Sequence, residues 1–141
     1  MGMNSFVNSI DLLQRAMDVA SLRYSVTANN IAMSEVPKYK KQSVNFESEL
    51  KKAFESRDND HDSFRMITSD PRHIQSEQPR DWRDVRPRRV TDFVTVSKAN
   101  GNNVDAEEEA MNITKIQMQY RMLSMLANFE FGQIQTAMQK I

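Results

Sequence analysis

The segment AEEEAMNITKIQMQYRMLSMLANFEFGQIQTAMQKI, residues 106–141, carries its apolar side chains on two neighbouring stripes. Ile113, Ile116, Tyr120, Leu123, Ala127, Ile134, Ala137 and Ile141 recur at helical and heptad spacings, interrupted by Glu130. Met111, Met118, Met122, Met125 and Phe129 form a second set beside the first. Spacings of three, four and seven place each set on one face of an α-helix. Asp105 with Glu108 reads as an acidic cap, and Glu107 to Glu109 complement the positive end of the helix. Asn100-Gly101-Asn102-Asn103 reads as the turn before it, alongside Val104. A helix is therefore predicted from about Ala106 to near Ile141.

The opposite end of the chain has the same character. Phe6, Ile10, Leu13, Met17, Ala20, Tyr24 and Ile31 step by three, four and seven, with Thr27 interrupting the seam. Leu12, Ala16, Val19 and Val26 run beside them. The spacing predicts a helix from about Asn4 to Ala32, about 44 Å long at ~1.5 Å per residue. Pro37 stops it, and Val36 before the proline is pushed toward extended geometry.

Between the helices the pattern changes. Phe46, Leu50 and Phe54 share one face of a predicted short helix, and Glu55 to Asp62 reads as a polar loop. Val90 to Val96 is β-branched and partly alternating, so a short strand is expected there. The expected fold class is mainly α. Two long terminal helices pack as an antiparallel, coiled-coil-like hairpin around an irregular middle with a short helix and a short β segment. The expected division is residues 1–40, 41–100 and 101–141. A hairpin covers one stripe on each helix, and the second stripe on each calls for further neighbours.

Composition narrows the function. Nineteen basic and nineteen acidic residues cancel, so no overall field draws the chain to nucleic acid or an anionic membrane. The absence of cysteine removes disulfides, thiolate ligands and a cysteine nucleophile. No apolar run approaches the roughly 18 residues of a membrane span, and Met1 to Phe6 lacks the pattern of a secretory signal. His61 among Asp58, Asp60 and Asp62 resembles the opening of a calcium loop. Ser63 stands where that loop needs glycine, and Ser69 where it needs glutamate. His73 and Glu77 lack a third ligand. With no Gly-x-Ser-x-Gly elbow and no glycine-rich phosphate loop, neither an enzyme nor a metal or cofactor site is expected. Arg80, Arg83, Arg86, Arg88 and Arg89 around Trp82 could contact nucleic acid. Asp81, Asp84 and Asp92 dilute that patch, and a solvated or subunit-contacting loop is the preferred reading.

Residues 28–40, Ala-Asn-Asn-Ile-Ala-Met-Ser-Glu-Val-Pro-Lys-Tyr-Lys, resemble the signature of flagellar rod and hook proteins. That signature is an Asn-Asn-Ile-Ala-Asn segment followed by Thr-Pro-Gly-Tyr. Met33, Val36 and Lys38 stand where the family has Asn, Thr and Gly. Val44-Asn45-Phe46-Glu47 with Leu50, then Thr68, Pro71, His73 and Ile74, then Gly101 to Asp105 with Glu107 and Glu109, resemble the proximal-rod type. The resemblance implies a structural subunit of the flagellar rod, exported without a cleaved signal and placed in the periplasmic part of the basal body. Implied partners are further copies, other rod proteins, the rod-base adaptor, the export gate and the inner-membrane ring. The residues expected to serve assembly are Leu13, Met17, Ala20, Tyr24, Asn29, Asn30, Ile31, Pro37 and Tyr39 on the N-terminal side. Val104, Asp105, Ile116, Tyr120, Leu123, Ala127 and Ile134 serve on the C-terminal side. A cytoplasmic helical adaptor or secretion chaperone is the alternative reading.

Overall fold

The computed structural model describes residues 2–58, 70, 72, 80–95 and 98–139, without the side chains of 2–4, 57 and 58. Among the described residues the elements in chain order are α1 (Gly2–Ala32), β1 (Gln42–Asn45), α2 (Glu47–Asp58), a 3-10 turn (Trp82–Asp84), β2 (Arg88–Thr91) and α3 (Ala106–Met138). They form two compact units, Met1–Val44 with Arg89–Ile141 and, separately, Asn45–Arg88.

In the first unit α1 and α3 lie side by side and antiparallel. Phe6 near the start of α1 meets Phe131 near the end of α3, edge to face at 5.9 Å. At the other end Asn30 bonds Glu109. The helices are 31 and 33 residues long, so they span about 46 and 50 Å at ~1.5 Å per residue. Val19, Ala20, Val26, Val104 and Ile116 are buried in this unit. On α1 the buried face thus runs between the two stripes, with Val19 beside Ala20 and, two turns on, Val26 beside Thr27, while Tyr24 turns outward. Asp105 caps α3 as expected, its carboxylate accepting from the backbone N–H groups of Glu107 and Glu108.

The strand departs from expectation. It starts earlier, at Arg88, and ends at Thr91, where Val90 to Val96 had been expected. The Asp92 carboxylate accepts from the N–H groups of Val94 and Thr95, so the backbone donors a longer strand would offer are taken by a turn. The pairing of β1 with β2 runs antiparallel, since Lys41 O accepts from Asp92 N–H while Ser43 Oγ donates to Val90 O.

In the second unit Phe46, immediately before α2, and Ala53 on α2 are buried, and Trp82 is buried with Phe54 stacked on it at 6.4 Å. The expected polar loop from Glu55 is helical as far as Asp58. A Lys51–Glu55 pair at one-turn spacing, at 3.6 Å, supports that last turn. The Arg83 guanidinium lies 5.1 Å above the Trp82 ring. The ring that could have stacked a base is used inside the unit instead. The other positions considered for metal binding, and Thr68, Pro71, His73 and Ile74, lie outside the described residues. Among the described residues no helix is long and apolar enough to cross a membrane, and no group of three or more His, Asp or Glu could hold a metal ion.

Candidate functional site

Two features of the first unit stand out: a buried polar clasp at one end of the helix pair and an uncovered apolar face along α3.

The clasp is built on Asn30, which continues the Val19–Val26 stripe of α1 one turn further and is 0% exposed. A buried primary amide needs two acceptors and at least one donor. Asn30 Nδ2 donates to Gln42 O at 2.8 Å and to Glu109 Oε2 at 2.9 Å. Its Oδ1 accepts from Gln42 N–H and the Tyr39 hydroxyl, both at 3.1 Å. One side chain thus ties the end of α1 to β1, to the signature segment and to the first turns of α3. Asn29, its neighbour in sequence, is exposed and donates to the Tyr39 hydroxyl at 3.3 Å.

Glu109 is the charged centre of the clasp and is 2% exposed. Its carboxylate accepts from Asn30, from Asn112 at 3.3 Å and from the Lys41 ammonium at 2.8 Å. A buried carboxylate is tolerated only when paired and hydrogen-bonded, and this one is both. Burial by itself pulls the Lys41 ammonium down. Hydrogen bonding to Glu109 and the charges of Glu109 and Glu108 outweigh that and hold its pKa above the ordinary lysine value.

Asn102 and Asn103 complete the arrangement. The Asn102 amide is 0% exposed and donates toward the carbonyls of Met33, Ser34 and Val36, at 3.0, 3.0 and 2.9 Å. Asn103 Oδ1 accepts from Lys41 N–H at 2.6 Å, and its amide donates to Asp92 O and Thr95 Oγ1. Lys98 Nζ donates to Ser34 O and pairs with Glu35. The turn after α1 and the turn before α3 are thereby stitched together by side chains. Lys38 sits in the left-handed region at φ 61°, where the flagellar signature has glycine. Its N–H donates to Asn100 O, beside Gly101 at φ 82°.

The sequence reading missed Glu109, Asn102, Asn103 and Lys41 as clasp members. It placed Glu109 among the charges at the helix start and the two asparagines in a simple turn. A signal was present for Glu109: it stands four residues before Ile113, on the apolar seam, where a charge needs a partner. Asn102 and Asn103 carried no comparable signal, because a polar turn and a buried polar bridge have the same composition.

The expected assembly residues divide by location. Ala20, Asn30, Val104 and Ile116 are buried within the chain. Leu13, Met17, Ile31, Tyr39, Leu123, Ala127 and Ile134 are half-buried. Tyr24, Asn29, Pro37, Asp105 and Tyr120 are exposed. Tyr24 and Tyr120 line one shallow groove between α1 and α3, and Phe6 and Ile134 line another.

The second feature is the neighbouring stripe of α3. Met111, Met118, Met122, Met125 and Phe129 are 62–70% exposed, and no described residue covers them. Residues 110–138 contain three charges, Lys115, Arg121 and Glu130, so this helix lacks the charged outer face of a solvated one. α2, by contrast, has Glu47, Glu49, Lys51, Lys52, Glu55, Arg57 and Asp58 in twelve residues.

No protein-family model matches the sequence. Three curated proteins do. The chain is 38% identical over 122 residues to the flagellar basal body rod protein FlgB of Borreliella burgdorferi, covering 86% of this chain and 89% of that protein. It is 34% identical over 132 residues to FlgB of Borrelia hermsii, with 94% and 96% covered. FlgB of Bacillus subtilis is 28% identical over 136 residues, with 96% and 97% covered. End-to-end similarity of this kind, on a chain whose two signature asparagines lie at the junction of paired terminal helices, places the protein in the FlgB family of flagellar basal body rod proteins.

Proposed function

We propose that this structural rod subunit assembles by burying the outward stripe of α3 against neighbouring subunits, while the clasp fixes the helix pair that presents it. The carrying observation is the run of Met111, Met118, Met122, Met125 and Phe129, apolar and about two-thirds exposed. Full burial of a Met or Phe side chain is worth about 1.5–3 kcal/mol. Five side chains at that exposure therefore offer about 5–10 kcal/mol. Association costs about 4–15 kcal/mol, so this stripe alone brings two chains near break-even and other contacts must add to it. The neighbours in this reading are further copies, other rod proteins, the rod-base adaptor and the inner-membrane ring, reached through the export gate without a cleaved signal. The role is structural and non-catalytic. Buried Asn30 and Val104 act on assembly through the shape of the subunit, and Tyr24 and Tyr120 act by direct contact.

The test is Met118→Glu combined with Met125→Glu. Both sites face solvent, so the isolated subunit should keep its helicity and melting behaviour to within about 0.5 kcal/mol. Purified basal bodies should lack the variant chain, and cells relying on it should not swim. Normal rods built from this variant would remove the stripe from the interface. A chain that stays soluble while rods form without it would favour the adaptor or chaperone reading.

A further inference from the structure

Phe93 and Val94 are 74% and 91% exposed, at the tip of a turn between β2 and α3. The turn is held from both sides. The Asp92 carboxylate accepts from Val94 N–H at 2.9 Å, Thr95 N–H at 3.2 Å and the Thr95 hydroxyl at 2.5 Å. The Thr95 hydroxyl above all, then the two amides, lowers the Asp92 pKa from its ordinary value. Asn103 Nδ2 donates to Asp92 O at 2.9 Å and Thr95 Oγ1 at 3.0 Å. Two large apolar side chains are thus displayed on a backbone already fixed. A preorganised loop loses little freedom on docking, and phenylalanine and methionine are both enriched at interfaces.

We propose that the Phe93–Val94 knob of one chain docks on the exposed Met118–Phe129 stretch of α3 in a second copy, a contact that rests on the reading of that stretch as an assembly face. The knob cannot reach the same stretch of its own chain. Asn103 ties it beside the start of α3, whereas Met118 and Phe129 lie 13 and 24 residues past the Asp105 cap. Those separations are roughly 20 and 36 Å at ~1.5 Å per residue. The contact must therefore join two molecules through two different patches. Contacts of that type are heterologous; they close into a ring or extend as an open helical array, and the open array is the geometry a rod requires. Methionine side chains are deformable and make favourable contact with an aromatic ring, which suits such a socket. An aromatic side chain buries about 150–250 Å², against about 800 Å² per partner for a stable pair. The knob therefore holds no pair in dilute solution and acts only inside the assembled rod.

The chain has no cysteine, so a thiol crosslink can be placed without a background. Chains carrying Val94→Cys and Met122→Cys are expressed together in flagellated cells, and purified basal bodies are treated with a short thiol-specific crosslinker. A dimer containing one chain of each kind is expected, absent when either chain is present by itself. Rods that assemble with both chains yet give no mixed dimer overturn the proposal. Should that pair of chains fail to build rods, the Phe93→Ser, Val94→Ser chain decides. It should keep the melting temperature of the parent but lose incorporation into rods, and normal incorporation overturns the proposal. The Met118→Glu, Met125→Glu chain keeps the two readings apart: if it blocks assembly while the crosslink is absent, the knob fails and the stripe stands.

Discussion

Replacing Asn30 by alanine should cost far more than replacing Asn29, although the two residues are adjacent and chemically identical. Asn30→Ala removes three hydrogen bonds to neutral groups, two with Gln42 and one with Tyr39, and one to the Glu109 carboxylate. A neutral bond is worth about 1 kcal/mol net and a bond to a charged group about 1.5–3 kcal/mol. The simple sum is about 5 kcal/mol. Gln42 and Tyr39 are half-buried, so water can replace part of what they lose, and Glu109 keeps Lys41 and Asn112. The expected loss is therefore about 3 kcal/mol, a large share of the ~5–15 kcal/mol stability of a typical domain. Asn29→Ala removes one exposed bond of 3.3 Å and should cost under about 0.5 kcal/mol. Urea unfolding followed by circular dichroism measures both, read as a shift of midpoint at constant slope. Equal losses for the two variants, or less than about 1 kcal/mol for Asn30→Ala, would refute the account of the clasp.

Three further outcomes are expected. Lys38→Gly should stabilise the chain by about 0.5–1 kcal/mol in the same urea assay, because a non-glycine residue in the left-handed region costs about 1–2 kcal/mol and part of that returns as glycine entropy. The folded pKa of Lys41 lies above its model-compound value of 10.5. The stabilisation its ion pair supplies is therefore complete below that value and lost as pH rises through the folded pKa. Comparing urea midpoints of the parent and Lys41→Met from pH 8 upward should show a gap that is constant at first and narrows only above about pH 10.5. Leu123→Asp, at a half-buried position of the seam, should lower subunit stability by about 1–3 kcal/mol in thermal melts. Exposed Arg121→Glu should change it by no more than about 0.5 kcal/mol.

The sequence by itself determined the two long helices, the cap at Asp105 and the presence of more apolar stripe than one partner helix can cover. These are local matters: spacing along a helix, a capping side chain and a proline act over three or four residues and are written in the order of the chain. The early end of the strand at Thr91 was less legible, because the carboxylate of Asp92 competes with a β ladder that its neighbours' side chains favour. Which stripe packs inside was decided by the tertiary structure. Both faces of α3 are apolar, and only the antiparallel fit of α1 assigns Ile116 to the interior and Met118 to the surface. The same holds for the clasp. Asn29 and Asn30, or Glu107 and Glu109, cannot be told apart by residue type. They differ because a helix turns about 100° per residue, so one of each pair is buried against a partner 79 positions away in the chain and the other lies exposed.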